Sequence, residues 1–260
     1  MKTRIISGIC MVPLLLVVYF GGIPLLIAAA LVSYIGVTEF FNGFNNMGIR
    51  PSRKIAYCMI TILYVGFLVN GHNPVFLMGW ILLSITASLL YGWDIVNRSP
   101  EDSMATLTGI VYIVFFTYHI VLIDHTAYSE LVWLVLIAAF GSDIMAYFTG
   151  YAFGKHKLCP NLSPKKTIEG AIGGALGATV FGGLFGYFFM PGLFHECLIM
   201  GLVGGIVSQC GDLTASAFKR KMGIKDYGHL IPGHGGIMDR FDSVIFVAPF
   251  IYYSIVFILP

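Results

Sequence analysis

The sequence predicts an all-α protein, a polytopic membrane bundle of about nine transmembrane helices with a cytoplasmic N-terminus. Three observations carry this prediction. Hydrophobic residues make up 57% of the 260 residues and charged residues only 11%, a composition too apolar for a soluble globule. Apolar runs of about 20 residues, the length of a membrane-spanning helix, follow one another with short polar breaks. Lysines and arginines fall only in the N-terminus and in every second break, as expected for one side of a membrane.

The predicted spans are one continuous membrane domain, because no linker or soluble domain interrupts them. They cover residues 4–20, 22–40, 55–70, 74–92, 104–123, 129–153, 171–191, 194–218 and 241–259. The first has the charge pattern of a secretory signal peptide. We interpret it as a span, because its apolar run is long and no small-residue cleavage site closes it. Residues 1–128 form plain N-terminal spans, in which Glu39 is the one notable acid. Residues 129–260 form C-terminal spans whose cytoplasmic loops we expect to be catalytic.

The positions of the cations set the orientation, because Lys and Arg beside a span are retained on the cytoplasmic side. A cytoplasmic N-terminus puts all 15 cations inside, in the N-terminus and in loops near residues 41–54, 93–103, 154–170 and 219–240. We therefore expect a multi-pass protein of the inner (cytoplasmic) membrane with its active site facing the cytoplasm. The cations lie beside membrane and near carboxylates, so nucleic acid is not an expected partner.

Acidic side chains within spans are functional candidates, because an ionised group at membrane depth costs several kcal/mol. Asp143 lies in the sixth span and Asp212 in the eighth. One face of the eighth span carries polar residues spaced by four, four and three: Ser208, Asp212, Ser216 and Lys219. That face must line a wet cavity or another polar element. The alternative for Asp212 is a structural ion pair with a nearby lysine.

The loop after the eighth span combines glycines, cations and carboxylates. Residues 223–242 read GIKDYGHLIPGHGGIMDRFD, and the glycines and proline exclude helix or strand from most of it. Backbone N–H groups of such a loop can surround phosphate oxygens, while Lys225 and Arg240 add charge. Asp239 and Asp242 lie three apart, on one face of the last span's first turn.

Several carboxylates beside many cations favour a magnesium site, because hard oxygen ligands suit Mg²⁺ and that ion in turn holds phosphate. Asp212 with Asp239 is the metal pair that we favour. Asp143 and Asp242 are second choices, as further ligands or as partners that orient the first pair. His234 could donate to a phosphate from the same loop, although a loop histidine can equally be structural.

A second basic loop precedes the seventh span. Ser163 is predicted to cap a helix whose first turn begins at Pro164, with Thr167 near the same end. A helix N-terminus flanked by Lys165 and Lys166 is a ready anion site, although positive-inside anchoring explains these lysines about as well. The seventh span itself is rich in glycine, which predicts close helix packing rather than direct contact with a ligand.

At these residues the sequence resembles the CDP-diacylglycerol synthases, also called phosphatidate cytidylyltransferases, of bacterial membranes. Residues 216–242 contain Ser-x-Phe-Lys-Arg, four residues, and then Lys-Asp-x-Gly-x-x-Ile-Pro-x-His-Gly-Gly-Ile-x-Asp-Arg-Phe-Asp. Weaker likeness extends upstream to Asp143. The resemblance implies that CTP and phosphatidate react to give CDP-diacylglycerol and pyrophosphate, with Mg²⁺ required and a second cation allowed. It also allows a homodimer, although the glycine-rich span could pack within one chain.

The residues and the resemblance together predict a defined set of site residues. The predicted metal ligands are Asp212 and Asp239. The predicted catalytic residues are Asp212, Asp239, Lys219, Arg220, Asp143 and Asp242. The predicted substrate-binding residues are Ser163, Lys165, Lys166, Thr167, Ser216, Lys225, Asp226, His234, Gly235, Gly236 and Arg240.

Two other functions compete with this prediction. A proton- or ion-coupled secondary transporter could use Asp143 and Asp212 as relays, but no inverted repeat is evident. A CDP-alcohol phosphatidyltransferase also binds metal through carboxylates on membrane helices, but its Asp-Gly-x-x-Ala-Arg signature is missing. No HExxH, Gly-x-Ser-x-Gly or Walker sequence appears, so zinc proteolysis and ATP-driven transport lose support.

Overall fold

The computed structural model of the protein describes residues 12–231, 233 and 235–259, and most of them are helical. The chain divides into two compact units. The first comprises Met1–His125 and Lys221–Arg240, and the second comprises Thr126–Arg220 and Phe241–Pro260. The predicted all-α class is confirmed. The assignment of catalysis to residues 129–260 stays a prediction, since compactness does not reveal which part is catalytic.

The first unit consists of helices joined by short turns. They are α1 (Val12–Phe20), α2 (Gly22–Phe44), α3 (Arg53–Asn70), α4 (Pro74–Tyr91), α5 (Pro100–Gly109) and α6 (Phe116–Asp124). A π-helical turn, Ile110–Phe115, connects α5 to α6 as one long span. Side chains satisfy the backbone where two helices begin: the Ser52 hydroxyl accepts from the Ile55 N–H, and the Asn73 side chain accepts from the Val75 and Phe76 N–H groups.

The second unit contains long helices and one small hairpin. Its elements are α7 (Leu131–Phe153), β1 (Lys157–Cys159), β2 (Ser163–Thr167), α8 (Ile168–Phe189), α9 (Phe194–Met222) and α10 (Met238–Ile258). The last residues of α9 and the first residues of α10 are grouped with the first unit.

Eight of the described helical segments are long and apolar enough to cross a membrane. They are Gly22–Met47, Arg53–Asn70, Pro74–Tyr91, Pro100–Asp124, Leu131–Phe153, Ile168–Phe189, Pro191–Met222 and Met238–Ile258. Each corresponds to one predicted span, from the second to the ninth. Residues 4–11 of the first predicted span lie outside the described residues, and its described part is the helix Val12–Phe20.

Close packing of α7 against α8 explains the glycines of the seventh span. A Cβ atom added at Gly174 would lie 2.8 Å from the Ser142 carbonyl oxygen and 3.0 Å from the Ala146 Cβ. A Cβ atom added at Gly170 would lie 2.8 Å from the Ala146 carbonyl oxygen. Small residues let helix backbones approach closely in lipid, so the predicted packing role of these glycines is confirmed.

The predicted helix beginning at Pro164 is wrong. Ser163–Thr167 is instead a strand that pairs antiparallel with Lys157–Cys159, and Ser163 lies opposite Cys159. Helix α8 begins only at Ile168, where the Thr167 hydroxyl accepts from the Gly170 N–H at 3.1 Å. Thr167 therefore provides the cap that we had assigned to Ser163. Pro164 is tolerated because a two-stranded sheet consists only of edge strands.

Candidate functional site

A cavity of about 570 Å³ lies in the second unit, beside the ends of α7 and α8 and the hairpin. Glycines and two tyrosines, Tyr147 and Tyr151, form part of its wall. Its charged and polar lining residues are Asp143, Lys157, Lys165, Lys166, Thr167, Gln209 and Asp212. Five of the residues predicted as catalytic or substrate-binding from the sequence therefore meet in one cavity. They are Asp143, Lys165, Lys166, Thr167 and Asp212.

Lys166 and Asp212 form an ion pair in this cavity. The lysine that we considered as a structural partner for Asp212 is therefore present. The two side chains are 26% and 29% exposed, so neither charge is sealed from a ligand that enters the cavity. A phosphate would attract the Lys166 ammonium and a cation would attract the Asp212 carboxylate.

The hairpin that carries Lys165 and Lys166 is fixed by hydrogen bonds at its base. The Glu169 carboxylate accepts from the Lys155 N–H at 3.1 Å and from the His156 N–H at 3.2 Å. The same carboxylate lies 2.6 Å from the His156 Nδ1 atom. Arg220 Nε donates to the Leu162 carbonyl oxygen at 3.4 Å. These contacts connect the hairpin to the end of α7, the start of α8 and the end of α9.

The polar residues of α9 differ in burial. Ser208 is fully buried and its hydroxyl donates to the Ala139 carbonyl oxygen at 3.4 Å. Asp212, Ser216 and Lys219 are half-buried. Gln209 was missed by sequence reasoning, although it is an amide inside an apolar span. Its Nε2 group donates to the Ala171 carbonyl oxygen at 3.0 Å.

Asp242 belongs to the same electrostatic neighbourhood in the second unit. Its side chain is buried, and its Oδ1 atom accepts from the Ser243 N–H at 2.8 Å. It lies close enough to Asp212, Lys219 and Asp143 for their charges to act on it. Gly211 allows this approach, because a Cβ atom there would lie 3.0 Å from the Asp242 carbonyl oxygen. The charges of two predicted acids, Asp212 and Asp143, therefore act on a third, Asp242, within this unit.

The first unit contains the other predicted acid, Asp239, at the start of α10. It is 7% exposed, and its Oδ2 atom accepts from the Tyr227 N–H at 2.8 Å and from the Gly236 N–H at 3.0 Å. Asp239 thus holds both ends of the loop that the sequence singled out. Its role as a metal ligand stays a prediction.

Glu39 of α2 contacts the same loop, although the sequence analysis assigned it no role in the site. Its Oε1 atom accepts from the Ile237 N–H at 3.1 Å, and its Oε2 atom accepts from the Met238 N–H at 2.9 Å. A carboxylate at a helix N-terminus satisfies N–H groups that have no partner within the helix. The available signal was an acid in an otherwise apolar span. Gly228 and Gly236 pack so closely on this carboxylate that a Cβ atom at either would collide with it.

The remaining predicted residues of the loop differ in their surroundings. Lys225 and Asp226 are exposed, whereas the Arg240 Nε atom is buried and has no hydrogen-bond partner among the described residues. A phosphate oxygen that accepted a hydrogen bond from this guanidinium N–H would satisfy the buried donor. Gly235 has a φ of 84°, which favours glycine. His234 lies outside the described residues.

The carboxylates of both units are chemically suited to Mg²⁺, which prefers hard oxygen ligands. Within the described part of the chain, no group of three or more His, Cys, Asp or Glu side chains could by itself hold a metal ion. Mg²⁺ is commonly held by one or two carboxylates together with water and substrate phosphates. The residues therefore fit an ion that completes its coordination with substrate oxygens.

Comparison with known proteins agrees with these features. The cytidylyltransferase family matches residues 2–258 of the chain. The phosphatidate cytidylyltransferase of Synechocystis sp. is 32% identical over 291 aligned residues, which cover 99% of this chain and 97% of that protein. The protein of the same name from Bacillus subtilis is 30% identical over 97% of each chain. That from Staphylococcus haemolyticus is 33% identical over 95% of this chain and 94% of its own length.

The family match spans nearly the whole chain, including the apolar N-terminal spans for which the sequence resemblance had implied no function. It favours group transfer over the secondary transporter. The chain therefore belongs to the cytidylyltransferase family, and it is a multi-pass membrane nucleotidyltransferase.

Proposed function

We propose that the protein is a phosphatidate cytidylyltransferase, which converts CTP and phosphatidate to CDP-diacylglycerol and pyrophosphate. One observation carries the proposal: Lys166 and Asp212 meet in a cavity that Lys165 and Asp143 also line. Cations for phosphate and carboxylates for a divalent ion are what a reaction between two anions requires. The names of the full-length relatives supply the substrates.

The reaction joins two negatively charged partners, so the protein must offset their repulsion. A phosphate oxygen of phosphatidate attacks the α-phosphorus of CTP. A new phosphorus–oxygen bond forms while the bond to the β-phosphate breaks, and pyrophosphate leaves with its electron pair. The attacking oxygen is already ionised at neutral pH, so no base must remove a proton. No covalent enzyme intermediate is needed.

The basic hairpin is proposed to bind substrate phosphates. Lys165 and Lys166 line the cavity, and Lys166 can exchange its contact with Asp212 for a contact with phosphate. That exchange would release the Asp212 carboxylate as cation and nucleotide arrive. The further phosphate ligands are Lys219, Arg220, Lys225 and Arg240. The Nε atom of Arg240, which has no hydrogen-bond partner among the described residues, supports its assignment.

Asp212 and Asp239 are proposed to hold Mg²⁺, with Asp143 and Asp242 as additional ligands or as orienting partners. When bound, the ion offsets the negative charge on the reacting and leaving phosphates. The Oδ2 atom of Asp239 accepts two backbone N–H groups, which fix the orientation of the carboxylate. A second cation is compatible with the number of carboxylates.

The membrane setting is proposed to bring the substrates from different directions. CTP would reach the cationic loops from the cytoplasm, on the face of the inner membrane where the cations concentrate. The acyl chains of phosphatidate would stay in the bilayer.

The test is transfer of labelled CMP from CTP to phosphatidate by the purified protein, with and without Mg²⁺. We expect Mg²⁺-dependent formation of CDP-diacylglycerol and pyrophosphate. Asp212→Asn and Asp239→Asn should each reduce kcat by about 10³-fold or more, because a carboxamide is a far weaker metal ligand. Asp94→Asn, on an exposed loop, is the control and should retain activity. Full activity of either site variant would remove that residue from the proposed metal site.

A further inference from the structure

A second basic cavity lies in the first unit and contains none of the residues assigned to the proposed reaction. Its volume is about 420 Å³. It lies beside the C-terminal end of α2, the start of α3, the end of α4 and Arg98, which shortly precedes α5. Its charged lining residues are Arg50, Arg53, Lys54 and Arg98. Four cations around one concave surface need an explanation beyond the orientation of the protein, because anchoring alone does not require them to converge.

The cationic side chains of this cavity are not paired with carboxylates. Within the described residues, none of the four cations forms an ion pair. The Arg53 guanidinium donates to the Asn42 side chain, and the Arg98 guanidinium lies 4.6 Å from the centre of the Tyr91 ring. The nearby Asp102 carboxylate is buried and accepts from the Arg50 and Ser99 backbone N–H groups, so its hydrogen bonds do not occupy the cationic side chains of the cavity.

The walls of the cavity are held in place before any ligand binds. The Tyr91 hydroxyl donates to the Arg50 carbonyl oxygen at 3.1 Å, and the Ser52 N–H donates to the Thr106 hydroxyl at 2.8 Å. Arg53 and Lys54 are the first residues of α3, so the positive end of an 18-residue helix adds to the field. A site with fixed backbone and converging charge binds an anion at a low ordering cost.

The loop that borders the cavity indicates where the anion comes from. Between Tyr91 and Arg98 it carries Trp93, Ile95 and Val96, which are 78%, 85% and 88% exposed. Adjacent exposed apolar side chains mark a surface that contacts protein or membrane. Tryptophan is favoured at the membrane–water interface, and cations beside it attract lipid headgroups. The cavity and this loop together match a lipid that presents its phosphate to the cations and its apolar part to the loop.

We propose that the Arg50, Arg53, Lys54 and Arg98 cavity binds the phosphate of an anionic phospholipid, with Trp93, Ile95 and Val96 inserted beside it in the membrane interface. Guanidinium groups bind phosphate through two parallel hydrogen bonds, and the lysine adds a point charge. This site is separate from the binding of substrate lipid in the proposed reaction. Its occupancy is expected to hold the α2–α3 and α4–α5 loops against the membrane.

The experiment measures lipid binding to the intact protein in detergent by native mass spectrometry. The protein is titrated with phosphatidylglycerol and, separately, with zwitterionic phosphatidylcholine. The variant R50Q/K54Q removes two cavity charges whose side chains are exposed. The variant K155Q/K221Q removes two exposed charges elsewhere and has the same net charge. Thermal unfolding of both variants verifies the fold.

We expect R50Q/K54Q to weaken phosphatidylglycerol binding about tenfold or more, while K155Q/K221Q and phosphatidylcholine binding change little. Trp93→Gln, which preserves the cavity charges, should also weaken phosphatidylglycerol binding several-fold. Equal losses in the two double variants would overturn the proposal, because only total charge would then matter. So would wild-type affinity in R50Q/K54Q. A third outcome would also refute a lipid site. If millimolar inorganic phosphate displaced the lipid and Trp93→Gln left phosphatidylglycerol binding unchanged, the cavity would be a site for soluble anions.

Discussion

A single buried carboxylate, Glu39, organises the loop that contains most of the sequence signature. It accepts from two consecutive backbone N–H groups at the start of α10, and two glycines of the loop pack directly on it. The apolar span around Glu39 makes its ionised form costly unless such donors compensate. We infer that Glu39 is a positioning residue for the loop and for Asp239, which follows these two N–H groups in the chain.

Replacement of Glu39 by Gln tests this positioning role. A carboxamide offers one acceptor oxygen, so one of the N–H groups of Ile237 and Met238 would face an NH₂ group instead. We expect Glu39→Gln to lower the free energy of unfolding by about 1.5–3 kcal/mol and to reduce kcat more than it raises KM. Thermal unfolding in detergent and steady-state kinetics measure the two effects.

The control for Glu39→Gln is Glu130→Gln, which changes an exposed glutamate in the same way. It should leave both stability and turnover near the wild-type values. Wild-type kinetics of Glu39→Gln in a folded protein would contradict a role in loop positioning.

The site residues were predictable from sequence where charge in an apolar span is itself the signal. Asp143 and Asp212 fit this rule, and both line the cavity of the second unit. Glu39 carried the same signal, but no sequence rule linked it to a loop almost 200 residues away. Its partners are backbone N–H groups, and backbone groups leave no residue-specific trace in a sequence. Gln209 was overlooked because an uncharged amide is tolerated within a span.

Among whole elements, the long helices were predictable and the hairpin was not. Of the nine spans predicted from hydropathy, eight correspond to described helices that are long and apolar enough to cross a membrane, because lipid forces the backbone to satisfy its own hydrogen bonds as helix. The segment around Ser163 and Pro164 lies between two candidate membrane spans, where that constraint does not apply. A serine before a proline is a typical helix start. Here the segment instead pairs with the strand Lys157–Cys159, and the local sequence around Ser163 does not indicate this pairing.

The contact between α7 and α8 makes a prediction at the level of elements. Gly174→Val would place side-chain atoms where the Ser142 carbonyl oxygen and the Ala146 Cβ now lie. Because both obstacles belong to the partner helix, the helices must separate. We expect a loss of about 1–3 kcal/mol in stability and weaker CTP binding, since both helices line the cavity. Thermal unfolding and equilibrium CTP binding are the measurements.

Gly79→Val is the matched control for Gly174→Val. Gly79 also lies within a long helix, but apart from its chain neighbours and the nearby backbone of its own helix, no described atom would lie within 4 Å of an added Cβ. Its replacement should change stability little and CTP binding not at all. Equal effects of the two variants would show that helix propensity, rather than helix separation, accounts for the loss.

For the whole molecule, the arrangement of charge is the most general property of the sequence. The two basic cavities are built from different helices, yet all of their cations lie in loops that the positive-inside rule assigns to one side. The orientation of the protein and the binding of phosphate therefore both require cations in these loops. On the predicted topology, a protein that handles phosphate at one membrane face uses the same cations for both purposes.

The predicted orientation can be tested with single cysteines in a background that lacks the native ones. Met47→Cys lies between α2 and α3 on the expected cytoplasmic side, and His72→Cys lies between α3 and α4 on the other side. Both positions are exposed. Because α3 crosses the membrane once, a membrane-impermeant maleimide should label His72→Cys in intact cells and Met47→Cys only after permeabilisation. The opposite pattern would invert the topology. It would place the cationic loops of both cavities away from cytoplasmic CTP, and the proposed reaction could not proceed as described.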